Sequence, residues 1–109
     1  MKRVVKDLLE QIGFAHVYET TDGNEALAKL DERLYGLVIS DWNLQSMTGL
    51  DLLRIIRERG SKVPFVMVTA ETRAEVVLAA RDAGVSGYLV KPINAGALKT
   101  RLSAVFGAF

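Results

Sequence analysis

There is no cysteine in this chain of 109 residues, which excludes disulfide stapling and thiolate metal sites and agrees with a reducing, cytoplasmic setting. Proline is scarce. Pro64 opens one apolar run and Pro92 follows another, both places where a missing N–H is tolerated. No apolar run approaches the ~20 residues of a membrane-spanning helix. Residues 1–12 carry Lys2, Arg3, Lys6, Asp7 and Glu10 along their length, so they do not form a signal peptide's hydrophobic region. Neither sign of charge dominates. Fourteen basic and thirteen acidic side chains leave a formal +1, so no electrostatic reason points to nucleic acid or a membrane surface as partner. The single histidine, His16, has no cluster of Asp or Glu near it, which fits a surface position better than a metal ligand or phosphocarrier. Linkers, repeats and low-complexity stretches are also lacking. The length then suits one domain, 1–109, around a single core.

What is present is alternation. Val5, Leu8, Leu9 and Ile12 share a helical face that stops before Gly13, a residue suited to a left-handed C-cap. His16–Thr20 has the look of a short edge strand, and Asp22 with Glu25 has capping-box spacing ahead of a stripe of Ala26, Leu27, Leu30 and Leu34. Leu37–Ser40 is the next expected strand. Thr48 can cap a helix carrying Leu52, Leu53, Ile55 and Ile56 and ending before Gly60. Phe65–Thr69 is a third strand, and Thr72 with Glu75 spaces a further capping box before Val76, Val77, Ala80, Ala83 and Gly84. A fourth strand around Ser86–Val90 precedes a last helix begun by Asn94 and carrying Leu98, Leu102, Val105 and Phe106. Such alternation predicts an α/β domain with a parallel sheet, four strands and five helices.

Three of these strands change from apolar residues to one polar residue at the carboxyl end: Asp41, Thr69 and Lys91. In an open parallel sheet those ends share a rim, and ligands bind there. A carboxylate, a hydroxyl and an ammonium on one rim suit phosphoryl chemistry, which needs an oxygen nucleophile and positive charge to neutralise the phosphoryl oxygens.

The segments Val38-Ile39-Ser40-Asp41-Trp42-Asn43, Met67-Val68-Thr69-Ala70-Glu71 and Ala83-Gly84-Val85-Ser86-Gly87-Tyr88-Leu89-Val90-Lys91-Pro92 stand in order at consistent separations. On these, from Phe14 to Phe106, the chain resembles a response-regulator receiver domain of the CheY-like, chemotaxis type. The resemblance implies a flavodoxin-like fold with helices on both faces of the sheet. It further implies a histidine kinase as phosphoryl donor and Mg²⁺ as cofactor, with Asp41 as phosphoacceptor. Activity is at most self-catalysed phosphoryl transfer to and hydrolysis from Asp41. Asn43 is expected to offer its main-chain carbonyl to the metal, Thr69 and Lys91 to bind phosphoryl oxygens, and Tyr88 to be a switch coupled to Thr69. Val77, Tyr88, Val90 and Arg101 match a face that binds downstream proteins of the flagellar-motor type.

The chain also departs from that family pattern. Receiver domains begin with an apolar strand ending in an acidic pair, placed mid-sheet between the strands corresponding here to 16–20 and 37–40. By this comparison Met1 falls inside the family's first helix, so the domain is expected to be incomplete at its N-terminus, without that strand and its two metal-binding carboxylates. Gln45 and Thr48 stand where proline and aspartate are common. Burying three or four aliphatic side chains contributes roughly 5–10 kcal/mol, comparable to a whole domain's stability. Two expectations for the gap follow: a homodimer or strand-exchanged oligomer in which another copy covers it, or a shift of 16–20 into the vacant slot beside 37–40. With Asp41 facing Lys91 alone, Mg²⁺ binding is expected to be weak or absent and phosphorylation impaired. A non-phosphorylatable interaction or dimerisation module is the alternative reading. Arg54, Arg57, Arg59 and Lys62, diluted by Asp51 and Glu58, fit a solvated helix surface.

Overall fold

The computed structural model describes residues 2–14 and 16–106, with side chains from Val5 onward; Met1, and with it the expected placing of the chain's start, lies outside the described residues. Five helices and three strands follow one another: α1 (Lys2–Ile12), α2 (Gly23–Glu32), β1 (Val38–Asp41), α3 (Gly49–Glu58), β2 (Phe65–Thr69), α4 (Ala74–Asp82), β3 (Gly87–Val90) and α5 (Ala95–Phe106). All pairing is parallel and the sheet order is β1-β2-β3.

Three helices stop at the glycines that signal their ends. Gly13, Gly60 and Gly84 take positive φ after α1, α3 and α4, a conformation that costs glycine nothing. At the other ends, Asp22 accepts from the Asn24 N–H at 2.8 Å. Thr48 and Asp51 close a reciprocal capping box on α3, and the Asn94 side-chain oxygen accepts from the Ala97 N–H at 2.8 Å.

Two apolar layers flank the sheet. Val5 and Leu9 of α1 pack with Leu98 and Leu102 of α5 on Val66 and Val68. On the opposite face Leu27 of α2 joins Leu52, Leu53 and Ile56 of α3 over Phe65 and Met67. The alternate side chains of β2 thus serve both layers, as a central strand's must, and all five of its residues are buried.

Four expectations need correction. Residues 16–20 form no strand, so three strands stand where four were expected. Ladder pairing requires an adjacent backbone, and between this segment and β1 lies a cavity of about 730 Å³ rather than a neighbour. Nor has the segment moved beside β1, whose pairing among the described residues is with β2 alone. Leu34 falls beyond the end of α2 and is fully exposed. Thr72 does not cap α4. Arg73 takes the N-cap position without a side-chain cap, because the Glu71 carboxylate accepts from the Arg73 backbone N–H at 3.0 Å and holds the chain extended to that point.

Candidate functional site at the carboxyl rim of the sheet

Asp41, Thr69 and Lys91 sit at the carboxyl ends of adjacent strands because the register is parallel and nearly level: Asp41 stands opposite Val68, and Thr69 opposite Val90. The Lys91 N–H donates to the Thr69 carbonyl at 2.8 Å, continuing the β2–β3 ladder by one residue. From there the lysine side chain crosses the end of β2, and its Nζ donates to Asp41 Oδ2 at 2.8 Å. The other carboxylate oxygen, Oδ1, accepts from the Trp42 N–H at 2.7 Å. Both groups are largely shielded, with 29% of the lysine and 20% of the aspartate side chain exposed.

Thr69 is buried, and its hydroxyl oxygen accepts from the Glu71 N–H at 3.2 Å, forming the first turn after β2. That turn is fastened twice more. The Tyr88 hydroxyl donates to the Glu71 carbonyl at 2.9 Å, and Arg73 grips the Glu71 carboxylate through Nε at 2.8 Å and a second nitrogen at 3.0 Å. Those Arg73 hydrogen bonds hold the Glu71 carboxyl down at about 2. Burial, then the Glu71 charge, pushes the Tyr88 phenol upward. Tyr88 and Thr69 therefore touch the same two-residue turn, one through the Glu71 carbonyl and the other through its N–H.

The loop after Asp41 is shaped by contacts that no motif announced. Gly49 donates its N–H to the Trp42 carbonyl and lies so close to the Asp41 carbonyl that a Cβ there would collide with it. Its only sequence signal is a glycine in a helix's first turn, where propensity disfavours it. Gln45 donates its N–H to the Thr21 carbonyl at 2.8 Å and accepts from the Gly23 N–H at 3.0 Å. Proline could not make the first of these bonds, so Gln45 ties the loop to the start of α2. Thr48 serves as the α3 cap described above. Arg57 belongs to no solvated face: it donates to the carbonyls of Gly84, Ser61 and Val63, tying the loop after α3 to the turn after α4, and its partial burial lowers its pKa.

Of the remaining expected residues, Asn43 is exposed and bridges Thr48, and Val77 is half-buried on α4. Val90 is exposed on β3. Arg101 lies on α5 with its side chain over Gly87. His16 is exposed and contributes to the cavity wall.

The chain matches the response regulator receiver domain over residues 1–103. It belongs to that family. The chemotaxis protein CheY of Pseudomonas aeruginosa is 42% identical over 108 residues, covering 97% of this chain and 87% of that protein. Chemotaxis protein CheY-3 of Vibrio cholerae is 43% identical over the same length, covering 97% and 83%. Among solved structures, the chemotaxis response regulator CheY4 of Vibrio cholerae superposes with a TM-score of 0.85 at 33% identity, covering 95% of this chain and 88% of that one. A two-component response regulator from Clostridium difficile gives 0.86 at 26% identity, with 96% and 85% covered. The fold is thus the flavodoxin-like CheY fold, here with three strands and five helices among the described residues.

Receiver domains imply Mg²⁺, and the donor set fits it poorly. Magnesium takes six oxygens, usually including one or two carboxylates. Among the described residues no three His, Asp or Glu gather to hold a metal, and the Asp41 carboxylate is already charge-paired with Lys91.

Proposed function

We propose that this receiver accepts a phosphoryl group on Asp41 from a histidine kinase and signals by protein contacts, in the chemotaxis manner of the relatives it matches. The reading rests on one observation, the Lys91 ammonium 2.8 Å from the Asp41 carboxylate on a rim shared with Thr69. In the transfer, an Asp41 oxygen attacks phosphorus in line, the P–N bond to the donor imidazole breaks, and an acyl phosphate forms. Lys91 exchanges the carboxylate for a phosphoryl oxygen, and the Thr69 hydroxyl, whose proton is uncommitted by the Glu71 contact, donates to another. Moving Thr69 in this way loosens the turn that Tyr88 also holds, and Val77, Val90 and Arg101 lie on the elements next to it. That makes Tyr88 a two-state element biased by phosphorylation, read by a downstream, motor-type protein in the cytoplasm.

The test is chemical. After incubation with a phosphorylated kinase or a small acyl-phosphate donor, acid-stable and hydroxylamine-labile phosphate should appear on the protein and be absent from Asp41→Asn. Transfer should be slow, because among the described residues no acids gather to hold a metal. Mg²⁺ should bind weakly: saturable quenching of Trp42 fluorescence at low millimolar Mg²⁺ would contradict this. The poor metal donor set favours a second reading, a receiver-like interaction module that is never phosphorylated, and complete absence of label would establish it in place of the first. Self-association is part of both readings, with a second copy covering the open side of β1, and sedimentation over a concentration series measures it.

A further inference from the structure

Glu71 is held by every polar group it has. Its N–H donates to the Thr69 hydroxyl oxygen at 3.2 Å, and its carbonyl accepts from the Tyr88 hydroxyl at 2.9 Å. Its carboxylate accepts three bonds from Arg73, from the backbone N–H at 3.0 Å, Nε at 2.8 Å and a second guanidinium nitrogen at 3.0 Å. The first two contacts join the turn to the rim, whereas the carboxylate grip faces away from it. Arg73 stands at the N-cap of α4 without capping it, and its side chain, 67% exposed, reaches back two residues to Glu71. A fork on both carboxylate oxygens fixes orientation as well as distance. With the Arg73 backbone N–H on the same carboxylate, Glu71 cannot rotate without breaking the fork or moving the start of α4. The direction of the Glu71 carbonyl, which Tyr88 meets, is set by the same restraint.

We infer that the Arg73–Glu71 pair is a latch on Tyr88: it holds the Glu71 carbonyl where the Tyr88 hydroxyl meets it, and so keeps Tyr88 turned inward while Lys91 still holds Asp41. Inward Tyr88 and the Asp41–Lys91 pair coexist in one structure, so the first does not need the second to open. Residues 70–73 belong to no helix or strand, which leaves the direction of the Glu71 carbonyl to local bonds of this kind. The residue type is also the fitting one, because a lysine is a point donor and could not span both carboxylate oxygens. Arg73 is thus a positioning residue that acts on Tyr88 through Glu71. The inference rests on Tyr88 being a two-state element, as proposed above, and not on Asp41 accepting phosphate. Its consequence is a partner face preset by an ion pair, with phosphorylation adding only the shift that the latch leaves undone.

The test is fluorine NMR on the full chain carrying 3-fluorotyrosine, with Tyr88→Phe identifying the Tyr88 signal among the three tyrosines. With no phosphoryl donor added, Tyr88 should report mainly a solvent-shielded environment in the wild type. Arg73→Gln, which removes the charge and the fork, should raise the exposed fraction roughly two- to fivefold, the scale of a surface pair, and Arg73→Lys should fall between. Raising sodium chloride from about 0.1 to about 1 M, which shortens the screening length from ~10 to ~3 Å, should move the wild type the same way and leave Arg73→Gln where it is. A merely structural role for Arg73 would lower the melting temperature without that salt-dependent shift, and would overturn the proposal. If Arg73→Gln fails to fold, the wild-type salt series decides. An exposed fraction that is equal in wild type and Arg73→Gln, or a single Tyr88 environment throughout, overturns it too, and neither result bears on the labelling of Asp41. Conversely, Asp41→Asn, which cannot be labelled, should keep the dependence on Arg73; loss of that dependence would place control at the rim and overturn the latch.

Discussion

β1 and β2 are spelled alike, short apolar runs ending in a polar residue, yet they live in different surroundings. Every residue of β2 is buried, whereas in β1 only Ser40 is. The difference comes from neighbours. β2 has a strand on each edge and a helical layer on each face, while β1 has a strand on one edge and a cavity on the other. An apolar run thus specifies a strand without specifying how deeply it is covered, and a site on such a strand inherits whatever its open edge admits.

Matched truncations should separate the two strands most sharply. Met67→Ala, fully buried in β2, should cost ~2–5 kcal/mol by lost transfer energy plus a new cavity. Ile39→Ala in β1 should cost about half as much, because part of its surface already meets open space. Urea denaturation gives both values, and equal costs would mean that the groove beside β1 is filled in solution. Gly49→Val should come next, at ~1–3 kcal/mol of overpacking, since its Cβ would meet the Asp41 carbonyl and displace the rim. It should also lower phosphoryl acceptance more than Ile39→Ala does. Thr48→Ala removes the α3 cap at ~1 kcal/mol without touching either strand, and unchanged labelling of Asp41 in that variant would show that the rim tolerates a purely helical loss.

The smallest effect concerns pH. The folded Glu71 carboxyl sits at about 2, below its ordinary 4.5. A depressed carboxyl contributes stability that is present above its unfolded value and is lost as pH falls from there toward the folded value. Wild type should therefore shed a little stability between about pH 4.5 and 2 that Glu71→Gln does not, seen as converging melting temperatures in acid. Because the Glu71–Arg73 pair lies at the surface, with Arg73 exposed and the charges screened by solvent, the convergence should be slight. A steep loss in the variant as well would place the acid sensitivity elsewhere.

Much of the domain could be read before folding. The C-cap glycines, the Thr48 and Asn94 caps, the α1 face of Val5 and Leu9, and the order of the three rim residues are all local signals or simple topological consequences of alternation. Other features were illegible for stated reasons. His16–Thr20 has strand-like letters, but a strand exists only beside another. Leu34 continues a helical stripe past the point where α2 stops. Arg57 is indistinguishable in sequence from its solvated neighbours, because the three carbonyls it collects come from a glycine turn 27 residues on and from loop backbone. Thr72 and Glu75 have perfect cap spacing, and a competing Glu71–Arg73 contact moved the helix start. The Gln45 link to Thr21 needed two loops to meet.

By itself, then, the sequence determined the five helical segments, the three central strands, most of their caps, and that a carboxylate, a hydroxyl and an ammonium end on one rim. Those properties depend on a few consecutive residues and on the obligatory crossover of parallel strands. Tertiary structure decided how many strands pair, that Lys91 spans the end of β2 to meet Asp41, and that β1 keeps one edge open. These depend on which backbones come to lie side by side, a relation between distant residues that no local pattern encodes.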